Sequence, residues 1–533
     1  MSTLTRVNRA SLLLGLCLAV IAPASQAVSV LQRGYDNLVS GSNLQETILN
    51  TSNVKTSTFG RQFDMTVDDN VFAQPLFVSG LTINGKTQDV VFIATMNDTI
   101  YAYPAAVVGK PLWTLSFSLR YNTTAVPMAQ FAISGNRNIV GNLGILSTPV
   151  IDPATNLMYV VAATLEHGSM VYRLHAIDIT NKREPLGPGV VISAKYGGAT
   201  FDARYMWQRP SLVLAGGRVI IGFGALELEY AGGYSGWVMA YDKTKLTQVG
   251  AFATVPADQK GGGVWQSGRP PIVDGSGRVY LFTGNGYSNG YNGVNDFSET
   301  LLKLDPSQAL KPIDWFTPGN WKALDSADLD LSSSGPTGIP GPGNLALVAG
   351  GGKNGILYIL NANNLGKYNA NDTQVVQKQQ VTSGELRGGP VFWLRPASAG
   401  GSLMYVWGSD DVPGAWAFNG TKIGTRAVAL GPVSPQPWPG GILTLSANGS
   451  KAGSGILWAT AVTSGDAEDH PPVPGIMYAF DASNIGRQLW NSNMNPSRDS
   501  VGNFAKFVPP LVANGRVYVA TQSKKVVVYG LLQ

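Results

Sequence analysis

The chain has 533 residues, of which 13% are charged, and a formal net charge of +5. Ordinary globular chains carry about 25% charged residues, and no basic run or basic–aromatic stripe here offers a footprint for nucleic acid. With 64 glycines, 32 prolines and one cysteine, the composition excludes an architecture of long helices and favours many short strands joined by turns.

The chain opens MSTLTRVNRASLLLGLCLAVIAPASQA, which reads as a secretory signal over residues 1–27. Arg6 and Arg9 form the basic n-region, Ser11 to Ala22 the apolar core, and Ser25-Gln26-Ala27 a small-x-small cleavage site. The core is shorter than the roughly 20 residues that span a bilayer, so no integral membrane span is expected. Cys17 follows the bulky Leu16, where a lipoprotein signal wants a small residue. Cleavage would remove two arginines and the one cysteine, leaving a charge of +3. The mature chain, residues 28–533, would then have no disulfide, no thiol nucleophile and no Cys-x-x-Cys-His attachment for haem. Its expected location is secreted or periplasmic.

From residue 99 one strand pattern recurs eight times, in TIYAYPA, YRLHAID, GWVMAYD, TLLKLDP, ILYILNA, GAWAFNG, GIMYAFD and KVVVYG. Anchored on Tyr103, Ile177, Tyr241, Leu304, Leu360, Phe418, Phe480 and Tyr529, the copies lie 49 to 74 residues apart. A second strand precedes most copies, as in DVVFIAT, GRVIIGF and GRVYVAT. A third element is a proline before another apolar strand, at Pro75, Pro149, Pro210, Pro271, Pro390 and Pro510. Repetition of a multistrand unit near this period predicts an all-β fold, an eight-bladed β-propeller of four-stranded antiparallel blades, in a single domain over residues 28–533. A pair of β-sandwiches would not repeat one pattern along the whole mature chain. The segment from 28 to 70 is expected to supply a strand to the last sheet.

Histidine is scarce, with His167, His175 and His470 at no metal-ligand spacing, and His175 sits inside an apolar strand. No Gly-x-Ser-x-Gly elbow or phosphate loop occurs. Chemistry would therefore fall to acids, amides and a bound cofactor. The residues with that potential concentrate between 208 and 361. FGALELEYAGGYSGWVMAYD contains Glu227 and Glu229. GGGVWQSGRPPIVDGSGRVYLFTGNG contains Trp265 and Asn285. NWKALDSADLDLSSSGP contains Asp325, Asp328 and Asp330, and GGGKNGILYILN contains Lys353.

These motifs, together with Trp-bearing turns such as GKPLWTLSF and GRQLWNS, resemble the quinoprotein alcohol dehydrogenases, which bind pyrroloquinoline quinone (PQQ) and Ca²⁺ in the funnel of a propeller. The resemblance implies that Trp265 is the flat wall on which the quinone stacks; the alternative is a tryptophan filling a gap between blades. It implies that Asn285 is an amide ligand to Ca²⁺, where the alternative is a turn asparagine. Lys353 would lie beside the quinone oxygens and stabilise negative charge, or else be a solvated turn lysine. Asp330 would be the base that takes the hydroxyl proton, and a metal ligand, with Asp328 next in line because the family's Trp-Asp pair reads Leu329-Asp330 here. Glu229, with Glu227 as runner-up, would be the acidic Ca²⁺ ligand.

Two family features are missing. The adjacent cysteines that cover the quinone are replaced by NIVGNLGILSTPV, and no haem domain is present. The expected function is a PQQ- and Ca²⁺-dependent dehydrogenase of an alcohol or sugar hydroxyl, passing electrons to a separate acceptor. The alternative is a non-catalytic propeller that acts as a protein- or glycan-binding scaffold.

Overall fold

The computed structural model describes Met1 and residues 28–131, 138–225, 234–286, 290–468 and 470–532. The signal-like segment lies outside the described residues. Among the described residues strands dominate, and the longest of the four α-helices is Trp321–Ser326. Among the described residues no helix is long and apolar enough to cross a membrane.

Each recurring pattern becomes the third strand of an antiparallel sheet. In the first sheet, Leu76–Ile83, Lys86–Ala94, Thr99–Pro104 and Trp113–Ser116 pair in that order. Seven further sheets of four or more strands follow along the chain, with a two-stranded ribbon at Lys195–Tyr196 and Ala199–Thr200. Some sheets are extended beyond four strands. Lys367–Tyr368 joins the fourth sheet and Ser42–Asn43 the seventh, both in parallel. The segment expected to reach the last sheet does so: Phe59–Thr66 pairs antiparallel with Lys525–Leu531.

Packing follows from the strand period of two, which sends alternate side chains to opposite faces. Val517 and Val519 join a core cluster with the seventh sheet, while Tyr518 and Ala520 join one with the first. The same division holds around the molecule. Each of eight clusters fills the space between one sheet and the next, and the cluster containing Val526, Val528, Val91 and Ile93 couples the eighth sheet to the first. His175 is a core histidine as expected. It is fully buried, stacks on Phe117 at 3.9 Å and meets Glu184 at 2.7 Å.

The N-terminal segment ties several sheets together. Val30 exchanges hydrogen bonds with Phe77, and the carbonyls of Leu31, Asn37, Leu38 and Gly41 accept from Ile151, Val273, Gly338 and Leu445. Those four donors belong to the second, fourth, fifth and seventh sheets. One short stretch can reach so many sheets only where their inner strands converge.

Candidate functional site

The GGGVW stretch enters the convergence zone just ahead of the fourth sheet. Gly261 donates to the Tyr234 carbonyl and accepts from Gly236, Gly262 donates to the Asn285 carbonyl at 2.6 Å, and Gly284 donates to Gly263. The triplet thus fills a slot between residues 234–236 and the Asn285 loop. Glycine is required there for room as well as conformation. Gly261 and Gly262 have φ of 111° and 64°. A Cβ would stand 2.2 Å from the Asn285 carbonyl oxygen at Gly261, and 2.6 Å from the Trp265 indole nitrogen at Gly263. Trp265 is held edge-on to Trp207, with centroids 6.5 Å apart at 89°. Gln266 and Ser267 follow it with φ of 52° and 43°, a strained turn of the kind that accumulates at functional sites.

Asp330, Lys353 and Asn285 come together although up to 68 residues separate them in sequence. Lys353 Nζ lies 2.7 Å from Asp330 Oδ2 and 3.0 Å from Asp328 Oδ2. Asp330 Oδ1 accepts from the Asn285 backbone N–H at 3.0 Å, and Asn285 Nδ2 donates to Asp328 Oδ1 at 2.6 Å. Gly284 permits this approach, since a Cβ there would meet Asp330 Oδ1 at 2.2 Å. Burial works against the Asp330 charge, but the Lys353 ammonium and the Asn285 N–H outweigh it and hold the carboxyl below its ordinary range. Burial likewise opposes the Lys353 charge, and Asp330 overcomes it and raises the ammonium pKa. Lys353 is therefore no solvated turn lysine. Asn285 Oδ1 is buried with no partner among the described residues.

Two further carboxyls stand close behind. Glu299 is fully buried at a φ of 49° and accepts from Leu331 N at 2.8 Å. Burial and the Asp330 charge push its pKa well up from the ordinary carboxyl range. Asp325 accepts a short hydrogen bond from Gly286 N, and partial burial pushes it up from 3.8 to about 6. A carboxyl raised in this way favours the folded state when protonated, and that contribution is lost as pH rises through about 6. Asp325→Asn keeps the acceptor for Gly286 N without the charge. It should match the parent below pH 3.8 and exceed it at pH 8 by about 1 kcal/mol, allowing for solvent screening. Thermal unfolding of both proteins across this range measures the difference.

Trp265, Asp328, Asp330 and Lys353 line a cavity of about 140 Å³. Its remaining wall was not singled out from sequence. The Arg209 guanidinium sits 4.8 Å over Trp207 and 5.1 Å over Phe507. Arg387 pairs with Glu385 at 2.6 Å and lies 5.0 Å over Trp438. The signal was available in the proline pattern. Arg209 directly precedes Pro210 and Arg387 stands three residues before Pro390, where the chain turns into an inner strand. Glu227 and Glu229 lie outside the described residues. Among the described residues no three His, Cys, Asp or Glu side chains gather as a metal site.

No family model matches the chain, and no curated protein does. Solved structures do. The quinohemoprotein alcohol dehydrogenase from Comamonas testosteroni is 16% identical with a TM-score of 0.56, over 94% of this chain and 80% of that one. A europium-containing methanol dehydrogenase is 14% identical with a TM-score of 0.47, over 92% and 81% of the two chains. Saccharomyces cerevisiae Sqt1 is 10% identical with a TM-score of 0.47, over 89% and 99%. The resemblance read from the motifs thus extends to the fold, an all-β propeller like that of the first of these proteins.

Proposed function

We propose that residues 28–533 form one eight-bladed propeller, each of the eight large sheets being a blade, and that it is a secreted or periplasmic PQQ-dependent dehydrogenase of an alcohol or sugar hydroxyl. The observation that carries this reading is the buried Asp330–Lys353 pair in a cavity walled by Trp265.

The residues present fit the group. A planar tricarboxylate needs a flat apolar wall and cations around its rim. Trp265 supplies the wall, and Arg209, Arg387 and Lys353 line the same cavity. For Ca²⁺, which seeks oxygen ligands, the unpartnered Asn285 Oδ1 and the Asp330 carboxylate are suitable donors, with Glu229 or Glu227 as the proposed acidic ligand. When bound, PQQ would supply a two-electron acceptor for hydride.

The chain's own residues supply the proton chemistry. Asp330, held ionised by Lys353 and Asn285 N–H, takes the proton of a substrate hydroxyl. Lys353 keeps positive charge beside Asp330 and at the cavity wall, where negative charge on a bound group is stabilised. The aromatic side chains Trp207, Trp438 and Phe507 form apolar parts of the cavity wall, where low polarisability raises the weight of each charge. A separate protein or dye would accept the electrons.

The test is to incubate the mature protein with PQQ and Ca²⁺, desalt it, and record quinone absorbance and dye reduction with a panel of alcohols and sugars. Retained quinone and substrate-dependent dye reduction are expected. Without retained quinone the scaffold reading replaces this one. Trp265→Ala should weaken quinone retention by about tenfold or more, the stacking contribution of one aromatic face being about 1.5 kcal/mol. Unchanged occupancy in that variant would remove Trp265 from the site.

A further inference from the structure

A smaller cavity of about 10 Å³ also lies in the convergence zone. Its lining includes Arg33 from the N-terminal segment, Gln74 ahead of the first sheet, Arg269 ahead of the fourth and Gly388 ahead of the sixth. A space of this size holds one body of about water size.

The polar lining is cationic and undersatisfied. Arg33 and Arg269 are 4% and 5% exposed. Arg33 Nη2 donates to the Phe507 carbonyl at 2.5 Å. Arg269 donates to the carbonyls of Gly388 and Val39 and to the Thr337 hydroxyl, and its Nε–H is buried with no partner among the described residues. Gln74 is 2% exposed, and both its amide atoms lack a partner in the same sense. Among the described residues no carboxylate lines this cavity. Asp36 is the acid that acts on Arg269, at longer range, and its own carboxylate is taken by Leu38 N, Ser40 N and the Ser40 hydroxyl.

The fold reserves this space for the guanidinium groups. A Cβ at Gly268 would stand 2.3 Å from Arg33 Nη1, and one at Gly389 would stand 2.7 Å from Arg269 Nε. Burial and the neighbouring guanidinium groups of Arg269 and Arg209 pull the Arg33 pKa well down, and burial pulls Arg269 to about 10. Arg269 thus stays charged at neutral pH. Buried cations close together are costly unless a counter-charge stands between them.

We infer that this cavity binds one small monovalent anion of the chloride class, held by Arg33, the Arg269 Nε–H and the Gln74 amide. A compact anion suits so small a space better than phosphate, sulfate or a carboxylate does. The anion would offset the charge of the neighbouring guanidinium groups and lock the N-terminal segment to the inner strands, and the inference does not depend on the proposed activity.

Two measurements test this. Protein purified throughout in bromide should give crystals with a bromine anomalous peak between Arg33 and Arg269; a map with no peak there overturns the proposal, leaving at most a water. At constant ionic strength, replacing gluconate by chloride should raise Tm by about 2 °C or more in a saturable way. The rise should vanish in Arg269→Gln or, if that variant does not fold, in Gln74→Leu. A rise of equal size in the folded variant would place the halide effect elsewhere and overturn the assignment.

Discussion

Gly261→Ala should lower unfolding stability by about 3–5 kcal/mol, in the range kept for strain at a special backbone position combined with overpacking. The new Cβ would stand 2.2 Å from the Asn285 carbonyl oxygen and 2.7 Å from Gly286 Cα, at a φ of 111°. Neither neighbour can withdraw freely. The Asn285 carbonyl accepts from Gly262, and the Asn285 N–H donates to Asp330. Strain at residue 261 is thus passed to the Asp330–Lys353 pair. Gly449→Ala is the control, because Gly449 has a φ of 54° with open space around its Cβ position. That variant should lose only about 1 kcal/mol, the ordinary cost of left-handed backbone. Denaturant unfolding of both separates conformation from crowding. Equal losses would mean that the Asn285 loop yields and that the triplet's tight fit is unimportant.

Asp330→Asn is expected to remove about 2–3 kcal/mol of stability and, under the proposed function, to cut turnover by about 10²–10⁴. The stability loss comes from Lys353, whose side chain is only 11% exposed. Asp328 would remain at 3.0 Å as a weaker partner, being 58% exposed. Asp328→Asn should therefore change stability by less than about 0.5 kcal/mol and leave turnover within a few-fold. This contrast decides between the two aspartates that sequence left as alternatives. If Asp328→Asn is the inactive variant, the base is Asp328. Asp330→Asn combined with Lys353→Met should recover much of the stability without the turnover, because the lone buried cation is gone.

The glycine triplet shows how far the sequence reaches. Three glycines beside a tryptophan announce a tight approach, and the repeat order placed Trp265 and Asn285 with the fourth repeat and Lys353 with the fifth. That Trp265 and Lys353 line one cavity, with Asn285 bonded to the aspartates beside them, needs the inner strands to converge. The arginines were legible only as part of a proline pattern, since nothing local distinguishes Arg209 from Arg218, which bonds the Gly216 carbonyl in an exposed turn. Asp330 and Asp328 differ by two residues and both touch Lys353. Burial and the Asn285 N–H separate them, and neither is encoded in a short window.

The sequence by itself determined the strands, their repetition and the inward alternation of residues such as Val517 and Val519, because backbone pleat and turn chemistry act over a few residues. It also singled out Trp265, Asn285, Asp330 and Lys353 as candidates for chemistry. Only the tertiary structure decided which carboxylate Lys353 holds most closely, that the Glu299 carboxyl is pushed well up, and that Arg33 and Arg269 face a cavity lined by no carboxylate among the described residues. Those outcomes depend on desolvation and on charges brought together from distant parts of the chain, and such terms exist only once the sheets have packed together.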